Sequence, residues 1–338
     1  MTKTTYGILS DMHAADPLLI RQCIERLQKE GAQKLILNGD LVGDQYCRTP
    51  NALTPTPDVY FGVVLEAAAK TGLETFVQPG SHEEIADFIP MLEELSCHFP
   101  NIMNVLEHPA HQVNGHHLVF LPGSDFRAGG QFALLADSIP EGTYVQTGQG
   151  LASLTNEQWY GAIKHPQARH ALLQVTNMNN VEKLVTDSER TIVVCHVPRK
   201  FNTLEYGVDH AYFAERLDGS GLLPGIVVET TIRRQAGNVS SEQLQAIARQ
   251  NGFIFKRENR GNEALTALYE RLDITKAPTG HFHESAHRAT DASGKPLREG
   301  ELTTELFWNA SYVDQGLVGL LTVDGTQVSY RNINLRKP

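Results

Sequence analysis

The sequence predicts an α/β protein organised around a parallel sheet. Two observations lead there. Strand-like and helix-like stretches alternate three times in the first hundred residues, and strand-like ones such as KLILN at 34–38, like TIVVC further on at 191–195, are short runs of the buried type. The helix-like ones carry apolar residues at helical spacing, and two of them stop at a glycine.

Residues 4–10 read as the first strand. Asp16 and Pro17 supply an N-cap and a first helical position, and Leu18, Leu19, Ile20, Cys23, Ile24 and Leu27 follow on one face up to Gly31. The strand 34–38 leads into a turn-rich stretch to Pro57, a helix at about 58–71 ending at Gly72, a strand at 75–78 and a helix at about 84–97. Beyond residue 100, the stretches 101–106 and 116–121 read as strands flanking the hairpin signal Asn114-Gly115. Residues 125–150 are Gly-rich and loop-like, 153–190 mainly helical, and 191–195 a buried strand. A partly helical insertion occupies about 199–270, with a capping box at Ser240 and Gln243 and a second helix at about 262–272. The tail, 302–335, reads as two or three strands with an Asp324-Gly325 hairpin. Without repeats or a composition break, residues 1–338 read as one domain.

An apolar share of 41% and a charged share of 20% over 338 residues exclude a disordered, collagen-like or coiled-coil chain. No run approaches the roughly 18 apolar residues of a membrane span, and Met1 to Tyr6 lead into a strand pattern with no leader signature. The net charge of −10 argues against nucleic acid as a partner. Cys23, Cys47, Cys97 and Cys195 form no CxxC pair and read as free thiols of a reducing compartment, so a cytoplasmic location is expected. Nothing in the sequence speaks to oligomeric state.

Five polar clusters carry the chemistry, four of them just after a predicted strand: Asp11-Met12-His13, Gly39-Asp40 with Asp44 behind it, Gly80-Ser81-His82-Glu83, Cys195-His196 and Gly280-His281-Phe282-His283. Ligand sites of open α/β sheets gather beyond the carboxyl ends of strands, so the clusters have a reason to converge. Carboxylate with imidazole suits Mn, Fe, Zn or Ni, and the lack of thiolate pairs argues against a structural zinc site. Asp-x-His puts two donors on one face of an extended segment, and a carboxylate such as Asp40 can bridge two cations that together hold a phosphoryl group. The glycines before Asp40, His82 and His281 suit turns that pass close to a ligand. Taken singly each cluster also fits a turn or a solvated loop; the five in order do not. Cys195 reads as a small buried hydrophobe pointing away from His196, and Arg48, Arg127, Arg199 and Lys200 as solvated side chains.

In this order the motifs Asp11-x-His13, Gly39-Asp40, Gly80-Ser81-His82-Glu83, His196 and Gly280-His281-x-His283 resemble those of the calcineurin-like metallophosphoesterases, over residues 7 to about 284. The resemblance implies a four-layer α/β/β/α sandwich of two mixed sheets and a dinuclear centre of two divalent ions (Mn, Fe, Zn or Ni). Asp11, His13 and His283 would hold one ion, His196 and His281 the other, and Asp40 would bridge. His82 would be the catalytic histidine that protonates the leaving oxygen or stabilises charge on the phosphoryl group, oriented by Glu83. The activity implied is phosphate-ester hydrolysis, mono- or diesterase, on a phosphorylated small molecule with metal-activated water as nucleophile. Two positions depart from the family: Ser81 stands where an Asn ligates the second ion, and Asp44 comes one residue later than the commonest spacing. The serine leaves open a catalytically weak scaffold that binds a partner. A nuclease of the same family would need a basic groove in the insertion, where Lys256, Arg257, Arg260 and Arg233-Arg234 are interleaved with acids.

Overall fold

The structure, a computed structural model, describes residues 3–13, 15–42, 57–125, 132–136, 139–165, 168 and 171–336, with backbone alone at 57 and 58. The chain opens with β1 (Thr4–Leu9), α1 (Pro17–Lys29), β2 (Lys34–Asn38), α2 (Pro57–Ala69), β3 (Glu74–Gln78), α3 (Ile85–His98) and β4 (Ile102–Asn104). It continues through β5 (Ala110–Val113), β6 (His116–Leu121), β7 (Phe132–Leu135), β8 (Gly142–Thr147), β9 (Gly150–Ser153), α4 (Asn156–Ala162), β10 (Leu172–Asn177), α5 (Val181–Leu184) and β11 (Thr191–Cys195). Then come β12 (His210–Arg216), β13 (Leu222–Pro224), α6 (Gly225–Ala236), α7 (Ser241–Gln250), β14 (Phe253–Asn259), α8 (Glu263–Arg271), β15 (Lys276–Thr279), β16 (Ala289–Thr290), β17 (Leu306–Asn309), β18 (Leu317–Asp324) and β19 (Gln327–Asn334). The fold is mixed α/β.

Local chemistry explains the anticipated helices. Asp16 caps α1 by accepting the Leu18 N–H at 2.7 Å, with Pro17 in the first turn, and the buried stripe is Ile20, Cys23, Ile24 and Leu27. Ser240 and Gln243 make both bonds of the capping box that starts α7.

The main sheet has the order β19-β18-β1-β2-β3-β4, with β1 to β4 parallel and the two C-terminal strands antiparallel. Strand alternation sorts its side chains. Leu9, Leu35, Leu37 and Val77 pack with the stripes of α1, α2 and α3. Tyr6, Ile8, Ile36 and Phe76 pack on Leu118, Phe120, Ile192, Val194 and Trp308 of β6, β11 and β17. The other face of β6 and β11, with Val119, Val193 and Cys195, meets Leu265, Leu268 and Tyr269 of α8. Cys195 is fully buried, as alternation required, and Cys23, Cys97 and Cys195 are free thiols; Cys47 lies outside the described residues.

The structure corrects the sequence reading in four places. The Asn114-Gly115 turn, with φ of 48° and 90°, joins β5 to β6 in register Val113 to His116; residues 102–104 instead extend the main sheet beside β3. The stretch 125–150 is not only loop: Phe132–Leu135 and Gly142–Thr147 are strands. The stretch 153–190, expected to be mainly helical, contains β10, which lies between β7 and β8 and buries Leu172, Leu173 and Val175; pairing on both sides overrides the local pattern. The stretch 199–270 has the two expected helices plus an unanticipated sheet, β13-β12-β14, backed by α6 and α7 through Val228, Ile232, Leu244 and Ala248.

Candidate metal centre

Every motif sits just past the carboxyl end of a strand: Asp11 after β1, Asp40 after β2, His82 after β3, His196 after β11 and His281 after β15. β15 escaped the sequence reading because Lys-Ala-Pro-Thr lacks strand character; pairing with β17 makes it a strand, and the buried Lys276 amine donates to the Glu189 carbonyl at 2.8 Å. Backbone bonds join the loops in pairs. The Asp11 and Met12 amides donate to the Gly39 and Asp40 carbonyls at 3.2 and 2.7 Å, and the Gly280 amide donates to the His196 carbonyl at 3.0 Å.

Three of these residues hold left-handed backbone, with φ of 57° at Asp11, 51° at Asp40 and 72° at His281. Such strain in non-glycine residues collects at functional sites, where the surroundings enforce it. Gly39 and Gly80 meet face to face: a Cβ on Gly39 would lie 2.7 Å from Gly80 Cα and 2.8 Å from His196 Nδ1. Only glycine permits that approach.

The side chains converge as three acid–imidazole groups: Asp11, His13 and His283; Asp40, His196 and His281; and His13, Asp40 and His82, each with donor atoms within 4.8 Å of one another. Asp11 Oδ1 lies 3.3 Å from His283 Nε2 and 3.8 Å from His13 Nε2. Asp40 Oδ2 lies 2.9 Å from His196 Nε2, 3.8 Å from His13 Nε2 and 3.9 Å from His82 Nε2. Asp40 thus stands between the two sets. His82 packs edge-on against His13 with ring centroids 4.6 Å apart.

The other two expected site residues take unexpected positions. Ser81 Oγ donates to the Asp40 carboxylate, 2.9 Å from Oδ2, and the Ser81 and His82 amides also point at Asp40 Oδ1. Glu83 was expected to orient His82. Its buried carboxylate instead accepts backbone N–H groups: Gly80 at 2.6 Å and Asp40 at 3.3 Å on Oε2, Leu41 and Val42 on Oε1. It ties the Asp40 loop to the turn before His82, because the β2–β3 register brings those amides to it and leaves no acceptor oxygen for the ring.

Charge follows from burial and proximity. Burial pushes the Asp40 and Asp11 carboxyls up, but the surrounding imidazoles outweigh it and hold both well below the usual carboxylate range. Burial pulls His196 down, yet the charges of Asp40 and Asp11 raise it to about 10. Burial and the neighbouring His196 hold His281 down at about 3. Burial and Asp40 lift Glu83 to about 7.

His196 tests whether this donor set suits a cation. Its Nδ1 is 2.8 Å from the Asn38 carbonyl, which makes that nitrogen the donor. Nε2 is buried and makes no aligned hydrogen bond, although Asp40 Oδ2 is only 2.9 Å away. Nε2 beside a carboxylate oxygen, with the other ring nitrogen anchored on a carbonyl, is the arrangement of a metal-ligating histidine, which a cation would complete by displacing the Nε2 proton that Asp40 and Asp11 otherwise hold there. The residues fit divalent ions.

Supporting residues were missed. Ser10 Oγ donates to Asp11 Oδ2 at 2.6 Å, Tyr312 stacks on His283 at 4.0 Å, and the fully buried Asn309 donates to the Gly280 and Phe282 carbonyls at 3.2 and 2.8 Å. Only Ser10, adjacent to Asp11, carried a sequence signal. Arg199, expected in solvent, is buried over the Phe201 and Phe307 rings, and Lys200 pairs with Glu263. Asp44, Arg48 and Arg127 lie outside the described residues. A cavity of about 360 Å³ opens above His13, Asp40, Ser81, His82 and His281. No helix among the described residues is long and apolar enough to cross a membrane.

No family model matches the chain, and no curated protein does. Among solved structures, one is similar at 10% identity and a TM-score of 0.52, covering 98% of this chain and 99% of its own. A second, a dimetal phosphatase from Danio rerio, is similar at 11% identity and a TM-score of 0.44, covering 98% of each chain. At these identities the first likeness speaks to the fold alone, and nothing is drawn from the second, lower-scoring one.

Proposed function

We propose that the protein is a metal-dependent hydrolase of phosphate esters of the calcineurin-like type, with Asp11, His13 and His283 as one ligand set, His196 and His281 as the other, and Asp40 shared. The observation that carries this reading is the convergence of five separate strand ends on three acid–imidazole groups linked through His13 and Asp40. The packing of helices on sheet, sheet on sheets and sheet on α8 supports the four-layer arrangement of that family. Bound divalent ions supply the Lewis acidity that polarises a phosphoryl group and activates water. The chain supplies the rest. Asp40 is held ionised, His196 is anchored through Nδ1, and Ser81 fixes the Asp40 carboxylate. His82 lines the cavity and presents Nε2 near Asp40, where it donates a proton to the leaving oxygen. The Ser81 hydroxyl, engaged with Asp40, is the one feature that favours a weakly catalytic scaffold. A nuclease is disfavoured: in the insertion Arg233 pairs with Glu229 and Lys256 with Glu215, so part of its positive charge is held by neighbouring acids.

The test is hydrolysis of p-nitrophenyl phosphate and bis-p-nitrophenyl phosphate by metal-stripped protein with Mn, Fe, Zn or Ni restored. Turnover should require metal and fall about 100-fold or more in His82→Ala while metal content stays at the wild-type level. Absence of turnover with every ion refutes the reading.

A further inference from the structure

The two sides of the cavity above the candidate centre differ in chemistry. Its floor is imidazole, carboxylate and hydroxyl; the facing wall is Tyr212, Phe213, Leu222, Leu223 and Pro224, with Phe282 beside His281. That wall belongs to the small sheet, where β13 pairs with β12 and places Pro224 opposite Phe213. Leu222 and Leu223 are 39% and 37% exposed, and Ile226 and Val227 follow at 56% and 54%. Four large apolar side chains left in solvent within six residues, continuous with a polar site, mark a ligand surface rather than a packing accident. The volume, about 360 Å³, is that of a small-molecule pocket. Arg260 is the one Lys or Arg among the described lining residues; its guanidinium lies 4.8 Å from the Phe213 ring centroid, with only a 3.7 Å contact to Glu258. It suits a phosphoryl oxygen.

We infer that the cleft selects phosphate esters whose organic half is aromatic or branched apolar over esters of polyols, with β12 and β13 as the specificity wall. This rests on the phosphoesterase reading above. The polar floor takes the phosphoryl group, and the wall shelters the organic group from water, gaining in proportion to the apolar area covered.

The test compares benzyl phosphate with glycerol phosphate on the Mn-loaded protein. Both leave as alcohols, so leaving-group acidity does not set their ratio. In parallel, calorimetry compares benzylphosphonate with methylphosphonate. The apolar member should be favoured about tenfold or more in kcat/KM and in Kd, and both preferences should collapse toward one in Leu222→Ser/Leu223→Ser. Leu18→Ser, at an exposed leucine of α1, should keep both ratios. Turnover of both esters with no preference, or with a preference untouched by the double substitution, overturns the inference and leaves the esterase reading standing. Turnover of neither ester overturns the inference while p-nitrophenyl or bis-p-nitrophenyl phosphate is still hydrolysed, and the esterase reading falls with it only where those fail too.

Discussion

Glu83→Gln separates two roles for one carboxylate. In the structure its two oxygens accept four backbone N–H groups, two on each. A glutamine keeps one acceptor oxygen and turns an NH2 toward the other two amides. Two buried donors then lose their partner, at about 1–3 kcal/mol each, so a loss of about 2–6 kcal/mol is expected. That is a large part of the roughly 5–15 kcal/mol a domain has. Because those amides belong to the loops carrying Asp40 and Ser81, manganese affinity should fall about 10–100-fold, as for other groups that hold metal ligands in place. Urea unfolding of the metal-free protein reads the first effect and calorimetric manganese titration the second. If the variant unfolds within about 0.5 kcal/mol of wild type, binds manganese normally and loses only turnover, Glu83 acts on the His82 ring and the bracing argument is wrong.

Ser81→Asn adds a carbonyl oxygen beside Asp40, and the metal content measured by elemental analysis should rise toward two ions per chain; an unchanged content would show that the serine does not limit the second site. Asn309→Ala leaves the Gly280 and Phe282 carbonyls without their shared donor, so denaturant unfolding should show a loss of about 2 kcal/mol and metal titration a weaker site. Burial holds His116 and His287 down at about 4, below the unfolded value near 6.5, so the unfolded chain takes up protons first as pH falls. Stability from these groups is therefore present above about pH 6.5 and lost as pH falls toward 4, by at most about 1.4 kcal/mol per histidine per pH unit; the fall in urea midpoint should be shallower in His287→Asn, whose side chain tolerates the 69° φ there.

What the sequence determined by itself was the set of donors and their order. Asp-x-His, Gly-Asp, Gly-Ser-His-Glu and His-x-His are local patterns, and β1, β2, β3 and β11 are apolar enough to be read without partners, so the convergence of their ends was legible. The capped helices α1 and α7 were legible for the same reason: a cap and its stripe lie within one short stretch. Tertiary structure alone decided what depends on register between distant segments. Lys276 to Thr279 and Leu172 to Asn177 are strands because neighbours pair with them, against their local pattern. Glu83 reaches the amides of Asp40 to Val42 because β2 and β3 lie side by side, and His196 is anchored because the Asn38 carbonyl faces it across the site. The apolar wall of β12 and β13 stands over the donors although its residues carry no motif. A side chain's chemistry is written in its own residue, but the atoms it meets are supplied by backbone that only the folded sheets bring within a few ångströms.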